Sequence, residues 1–179
     1  MRIISGTNGG RKISPPTKMP YTRPTTDIAK EGLFNIIENN LDISSLTTLD
    51  IFGGTGSISY ELASRGAINL TIVEKDPAMY EFIKKTAAAL NIENFKVVKL
   101  DVFKFFLQYS DTYDLIFAGP PYALSTIDDL PKIVFEKNLL NTNGWFILEH
   151  TPANNYKAFP HFKTQRNYGT TVFSIFINN

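Results

Sequence analysis

The chain has 179 residues, 43% of them hydrophobic and 20% charged, with a formal net charge of +1 and no cysteine. That length favours one domain with a substantial core. The absence of cysteine excludes disulfides and thiolate metal sites, and two histidines, His150 and His161, are too few for a histidine-rich site. No run of about 18 apolar residues suggests a membrane span, and residues 1–10 lack the apolar core of a secretory signal, so a cytoplasmic protein without membrane contact is expected.

The charge is unevenly placed. Residues 1–30 hold six basic side chains (Arg2, Arg11, Lys12, Lys18, Arg23 and Lys30) against one acidic one, Asp27, and the remainder holds 12 basic and 16 acidic. A basic segment on a mildly acidic domain suits an anionic partner, although a solvated terminal extension has the same composition. The pattern predicts a basic extension over 1–24, folded as a small hairpin: Arg2-Ile3-Ile4 and Arg11-Lys12-Ile13 flank a turn containing Gly6, Gly9 and Gly10. A helix is expected over 27–39, capped by Thr25 or Thr26, with Gly32 permitting a close contact.

The domain proper, 25–179, is organised around Thr-Thr-Leu-Asp-Ile-Phe-Gly-Gly-Thr-Gly at 47–56. It reads as a buried strand, a tight glycine turn and the start of a helix ending near Arg65 and Gly66. A second strand ends at Glu74, and Asp76-Pro77 opens the next helix. A third strand ends near Leu100 and a short helix follows Asp101. The fourth strand, 113–118, runs into Gly119-Pro120-Pro121-Tyr122; one helix is then expected over 124–140, delayed or kinked by Pro131, and a fifth strand over 144–149. Two last strands joined at Gly169 have no helix between them and must pair antiparallel. The predicted fold is α/β, with a Rossmann-like sheet of seven strands, mostly parallel and closed by an antiparallel C-terminal hairpin.

The glycines narrow the ligand. Gly54 and Gly56 begin a dinucleotide fingerprint, but Ser59 occupies its third glycine position, and no lysine follows Gly56 as a P-loop requires. Glu74 is placed to accept hydrogen bonds from ribose hydroxyls and Asp101 to meet an adenine amine. Glycine loop, ribose acid and adenine acid together suit an adenosine that carries no phosphate. Solvated strand ends are the plainer reading of Asp50 and Glu74. Glu149 and His150 are a possible catalytic pair, but strand neighbours face opposite ways, so His150 is expected to be structural or solvent-facing.

Taken together, these pieces resemble the class I S-adenosylmethionine-dependent methyltransferases, and more narrowly the bacterial 16S ribosomal RNA guanine-N2 methyltransferases. The likeness runs through Met1-Arg2-Ile3-Ile4-Ser5-Gly6, Gly9-Gly10-Arg11-Lys12, Thr22-Arg23-Pro24-Thr25-Thr26-Asp27, Asp50-Ile51-Phe52-Gly53-Gly54-Thr55-Gly56, Ser64-Arg65-Gly66-Ala67, Val73-Glu74, Pro120-Pro121-Tyr122 and Tyr168-Gly169. It implies methyl transfer from S-adenosylmethionine to the exocyclic amine of a guanine in 16S ribosomal RNA; the expected partner is that RNA, free or in an assembling small subunit, and a monomer is expected. It implies a cofactor site of Gly53, Gly54 and Gly56 with Asp50 near the methionine amine, Phe52 beneath the loop, Glu74 on the ribose, and Asp101 and Val102 at the adenine. Gly119, Pro120, Pro121 and Tyr122 would form the catalytic turn, with Tyr122 stacked on the base. Arg2, Arg11, Lys12, Arg23 and Thr25 would meet RNA. The chain departs from the pattern at Gly119, where the family has aspartate. That departure predicts slower transfer, accelerated by Gly119→Asp, and leaves a second reading: a weakened or inactive RNA-binding assembly protein that keeps the fold.

Overall fold

The computed structural model of the protein describes residues 1–16 and 25–179. Among them, helix α1 (Asp27–Glu38) precedes strand β1 (Thr47–Asp50), which is followed by α2 (Ser57–Ser64), β2 (Asn69–Glu74), α3 (Pro77–Ala89), β3 (Phe95–Lys99), α4 (Val102–Gln108) and β4 (Tyr113–Ala118). Helix α5 (Asp129–Glu136), β5 (Leu140–His150), β6 (Phe162–Tyr168) and β7 (Thr171–Ile177) complete the chain. The strands form a seven-stranded sheet in the order β3-β2-β1-β4-β5-β7-β6. The pairs from β3 to β5 are parallel, while β7 is antiparallel to both β5 and β6, giving the expected C-terminal hairpin.

Side-chain alternation divides the core into two layers. Leu115 and Phe117 join Ile147, Phe173 and Ile175 on one face, where Leu33, Phe34, Ile58, Leu62 and Ile83 bring in α1, α2 and α3. Ile116 and Ala118 join Phe146 and Leu148 on the other, against Phe105, Phe106, Leu130 and Val134 of α4 and α5. Both faces of the central strands are covered, which is why those strands read as nearly continuous apolar runs. Thr26 caps α1, its hydroxyl accepting from Ala29 N, and Asp76 caps α3 ahead of Pro77. Gly32 packs so closely on the Tyr168 ring that an added β-carbon would lie 2.3 Å from it, so the expected close contact of α1 is with the last hairpin.

The helix expected over 124–140 is shorter. Residues 121–127 form successive turns, with Leu124 N donating to Pro121 O and Ile127 N to Leu124 O. Pro131 therefore falls in the first turn of α5, where an N–H has no helical partner to lose. Asn138, at φ 52°, ends the helix in the left-handed region, and Leu140 already belongs to β5.

Residues 1–16 are not a free arm. Arg2 and Lys12 form an antiparallel bridge, and Ile3, 1% exposed, enters the core. Ile4 N and Ser5 N donate to Glu61 Oε2 and Oε1 at 2.7 and 3.0 Å, and Asn8 N donates to Ser64 Oγ. Glu61 is fully buried on α2 and also faces Lys30 Nζ at 3.6 Å and Arg65 at 2.8 Å. Arg65 extends the network to Glu38.

Candidate functional site

The C-terminal ends of β1, β2, β3 and β4 surround a cleft of about 460 Å³ at the point where strand order reverses about β1. This is where open α/β sheets bind ligands. Phe52, Gly54, Glu74, Asp101 and Val102, all expected at the cofactor, line it, as do Gly119 and Pro121 from the far side. Phe52, expected beneath the loop, is half-buried and lines the cleft as well as touching the core.

Asp50, Gly53 and Gly56 lie behind that wall and shape it. Gly53 N donates to Val73 O, and a β-carbon on Gly53 would come within 2.6 Å of Ile72 Cγ2, so the loop can press onto β2 only without a side chain. Gly56, at φ 78°, turns the chain into α2 and gives that helix no side-chain cap. Asp50, 3% exposed, accepts from Phe52 N at 3.2 Å and Ser59 Oγ at 2.9 Å. Burial pushes its carboxyl up to about 7, against the pull of those hydrogen bonds. It braces the turn and, when ionised, places negative charge under it.

Glu74 accepts from Gly54 N and Asp76 N, both at 2.7 Å, so one carboxylate pins the glycine loop to the start of α3. Burial raises its affinity for protons while the backbone hydrogen bonds oppose this. A carboxylate has about four lone-pair positions, so these backbone donors leave it able to accept from a ligand as well. Asp101 caps α4 through Phe103 N. The sequence reading missed Asp76, Met79, Leu100, Phe103 and Leu124 as lining residues. The Asp-Pro start of α3 was the available signal for Asp76; the apolar ones look like ordinary core. Among the described residues, three carboxylates (Glu74, Asp76, Asp101) and one cation (Lys75) line the cleft. This balance disfavours a pyrophosphate and fits a nucleoside bearing positive charge, as S-adenosylmethionine does.

On the far wall, Pro120 is buried and Pro121 O accepts from Leu124 N, which fixes the turn after β4. Tyr122 is 36% exposed, and its hydroxyl donates to Glu149 Oε1 at 3.2 Å and lies 3.4 Å from Thr171 Oγ1. Thr25, expected on the RNA surface, donates to Glu149 Oε2 at 2.8 Å, and so stands at this wall rather than capping α1. His150 is fully buried on the opposite face, between Ser174 Oγ and Thr151 O at 2.8 Å each, as befits a structural side chain. Arg2 is paired with Asp27 at 2.9 Å, Arg11 reaches Ala89 O, and Lys12 is exposed; Arg23 lies outside the described residues. Among the described residues no cluster could hold a metal ion and no helix is long and apolar enough to cross a membrane.

This sheet and its cleft define a class I S-adenosylmethionine-dependent methyltransferase. Solved structures agree on the fold: yhhF from Escherichia coli superposes with a TM-score of 0.86 at 26% identity, covering 100% of this chain and 98% of that one. HI0767 from Haemophilus influenzae gives 0.80 at 25% identity, covering 99% and 97%. The chain belongs to the family described as conserved hypothetical protein 95, whose model matches residues 1–177. Its relatives include the ribosomal RNA small subunit methyltransferase D of Escherichia coli, 34% identical over 81% of this chain and 69% of that one. The protein of the same name from Buchnera aphidicola (strain Bp) is 28% identical over 99% and 92%.

Proposed function

We propose that the protein transfers the methyl group of S-adenosylmethionine to the exocyclic N2 amine of a guanine in 16S ribosomal RNA. The observation that carries this reading is one cleft with two walls: Glu74 and Asp101 on one side, and on the other Gly119 and Pro121 of the turn that continues to Tyr122. Relatives of the same fold, matched over most of their length, are named as small-subunit ribosomal RNA methyltransferases. Glu74 takes the ribose, Asp101 and Val102 meet the adenine, and Gly54 lies along the methionine portion, with Asp50 drawing its ammonium from below. The partly exposed ring of Tyr122 is a stacking platform for a base taken out of its helix.

N2 is a poor nucleophile because its lone pair is delocalised into the guanine ring, so the site must hold nitrogen, methyl carbon and sulfur in line. The rigid turn at Pro120 and Pro121 serves that positioning. On this reading the protein works as a monomer in the cytoplasm, on 16S RNA free or within an assembling small subunit. Incubation with labelled S-adenosylmethionine and undermethylated small-subunit particles, followed by mapping of the labelled base, is the test. Label on one guanine N2 is expected. RNA binding without label would favour the assembly-protein reading instead.

The N-terminal segment carries exposed basic residues of its own, with Arg11 at Ala89, at the end of α3 away from the cleft. Reversing Arg11 and Lys12 to glutamate is expected to weaken particle binding and to flatten its dependence on salt, because fewer phosphate counterions are released. Both side chains are exposed, so thermal stability should change little. Unchanged affinity at two salt concentrations would give these charges a purely structural role.

A further inference from the structure

Gly119 offers an incoming amine a carbonyl and no side chain, yet a carboxylate lies beside it. A β-carbon built on Gly119 would sit 3.7 Å from Glu149 Oε2. The two residues approach because β4 and β5 are parallel neighbours in which Phe117 pairs with Ile147. Two residues further on, Gly119 and Glu149 project from the same face.

Three buried carboxylates lie at the strand ends near the cleft, of which Glu74 lines it directly, and their partners separate them. Asp50 is held by Phe52 N and Ser59 Oγ within the core. Glu74 is held by two backbone N–H groups of the loop frame. Glu149 is held by hydroxyls, Thr25 Oγ1 at 2.8 Å and Tyr122 OH at 3.2 Å. A hydroxyl rotates and can turn its proton to another acceptor, so Glu149 can turn an oxygen to a new donor without breaking a rigid frame. Its Tyr122 bond also ties it to the ring on which the base is proposed to stack.

We infer that Glu149 is the catalytic acceptor for the guanine amine, reaching from the end of β5 into the place beside Gly119. The inference rests on the function proposed above. As the N2–methyl bond forms, the methyl–sulfur bond breaks and its electron pair goes to sulfur, which becomes a neutral thioether. The nitrogen gains positive charge and one of its two protons passes to Glu149. A carboxylate aimed at that nitrogen stabilises the developing charge, the kind of preorganised contact that contributes most to catalysis. Burial raises the proton affinity of Glu149 against the pull of its two hydroxyl partners, which suits a group that must receive a proton.

The effect expected of Gly119→Asp changes accordingly. The new β-carbon would lie 3.1 Å from Phe117 Cε1, and its carboxylate would crowd Glu149. Two carboxylates in contact do not both ionise readily, so this variant should be slower than the native protein. In a Glu149→Gln background the same substitution restores a charge where one is missing.

The test is single-turnover methyl transfer to undermethylated particles at saturating donor, with donor affinity by calorimetry and melting temperature recorded for each variant. Glu149→Gln should be about a hundredfold or more slower, with donor affinity little changed. Adding Gly119→Asp to it should recover at least about a tenfold gain in rate, a fraction of what one charged contact contributes. A Glu149→Gln protein as fast as native, or a double variant no faster than Glu149→Gln, would overturn the inference. If Glu149→Gln does not fold, Gly119→Asp alone decides: a slower enzyme supports the inference and a faster one overturns it. A native protein that binds donor and particle but transfers no methyl would remove the proposed function itself, whereas an active native protein with indifferent variants removes only the role of Glu149.

Discussion

Glu74→Ala is expected to weaken S-adenosylmethionine binding about a hundredfold, near 3 kcal/mol. Two losses combine. The ribose hydroxyls lose a charged acceptor in a site with few alternatives, an interaction of about 1.5–3 kcal/mol. Gly54 N and Asp76 N, each 2.7 Å from this carboxylate, lose the bridge that sets the glycine loop against α3. Glu74→Gln keeps acceptor oxygen but turns an amide towards one of those N–H groups, so an intermediate loss is expected. Calorimetric titration with S-adenosylmethionine and with its demethylated product measures both variants. An affinity within about a factor of two of native, well under the loss of one charged hydrogen bond, would show that the ribose is held elsewhere.

Glu61→Ala is expected to destabilise the fold by about 3–5 kcal/mol, the range for breaking a buried ion pair from one side. Against a typical domain stability of about 5–15 kcal/mol, that is a large fraction. The substitution leaves Lys30 buried at 1% exposure without its carboxylate, in a site where burial already disfavours its charge. It also strips the acceptor from Ile4 N and Ser5 N. Residues 1–16 should loosen first, and particle binding should weaken with them. Urea unfolding measures the change. A loss below about 1 kcal/mol, the size of an exposed pair, would mean that water replaces the carboxylate and the N-terminal segment holds by apolar contact alone.

The first four strands were legible in the sequence because each is short and bounded by a chemically marked end: Gly53-Gly54 after β1, Glu74 and Asp-Pro after β2, Asp101 after β3, Pro-Pro after β4. Backbone conformation at such ends is dictated by the residue itself, so it survives without knowledge of the rest of the fold. Helix α5 was less legible, because Leu124 to Leu140 has helical apolar spacing throughout and only tertiary packing decides which part coils. The buried cluster of Lys30, Glu61 and Arg65 was invisible for a different reason. Charged residues at helical spacing read as a solvated face, and only the docking of residues 1–16 over α2 removes the water. Glu149 carries the same lesson at the site. Its position at the end of β5 was plain, but its neighbours Thr25, Gly119 and Tyr122 come from two other segments, and pairwise proximity over such separations leaves no local pattern.

The strand order has a consequence for the protein during its own synthesis. β1 lies between β2 and β4, so the donor wall is built from the strands up to β3 and the acceptor wall from β4 and β5, meeting along the Thr48–Leu115, Leu49–Ile116 and Asp50–Phe117 pairs. Chains emerge from the ribosome N-terminal end first. The segments proposed to grip the methyl donor are therefore made before the Pro-Pro-Tyr turn, and Glu149 is made later still. A half-finished chain has nowhere to present a base to the donor. An enzyme proposed to act on small-subunit RNA, itself produced amid ribosomes, thus cannot mark that RNA until nearly all of its own chain has been translated.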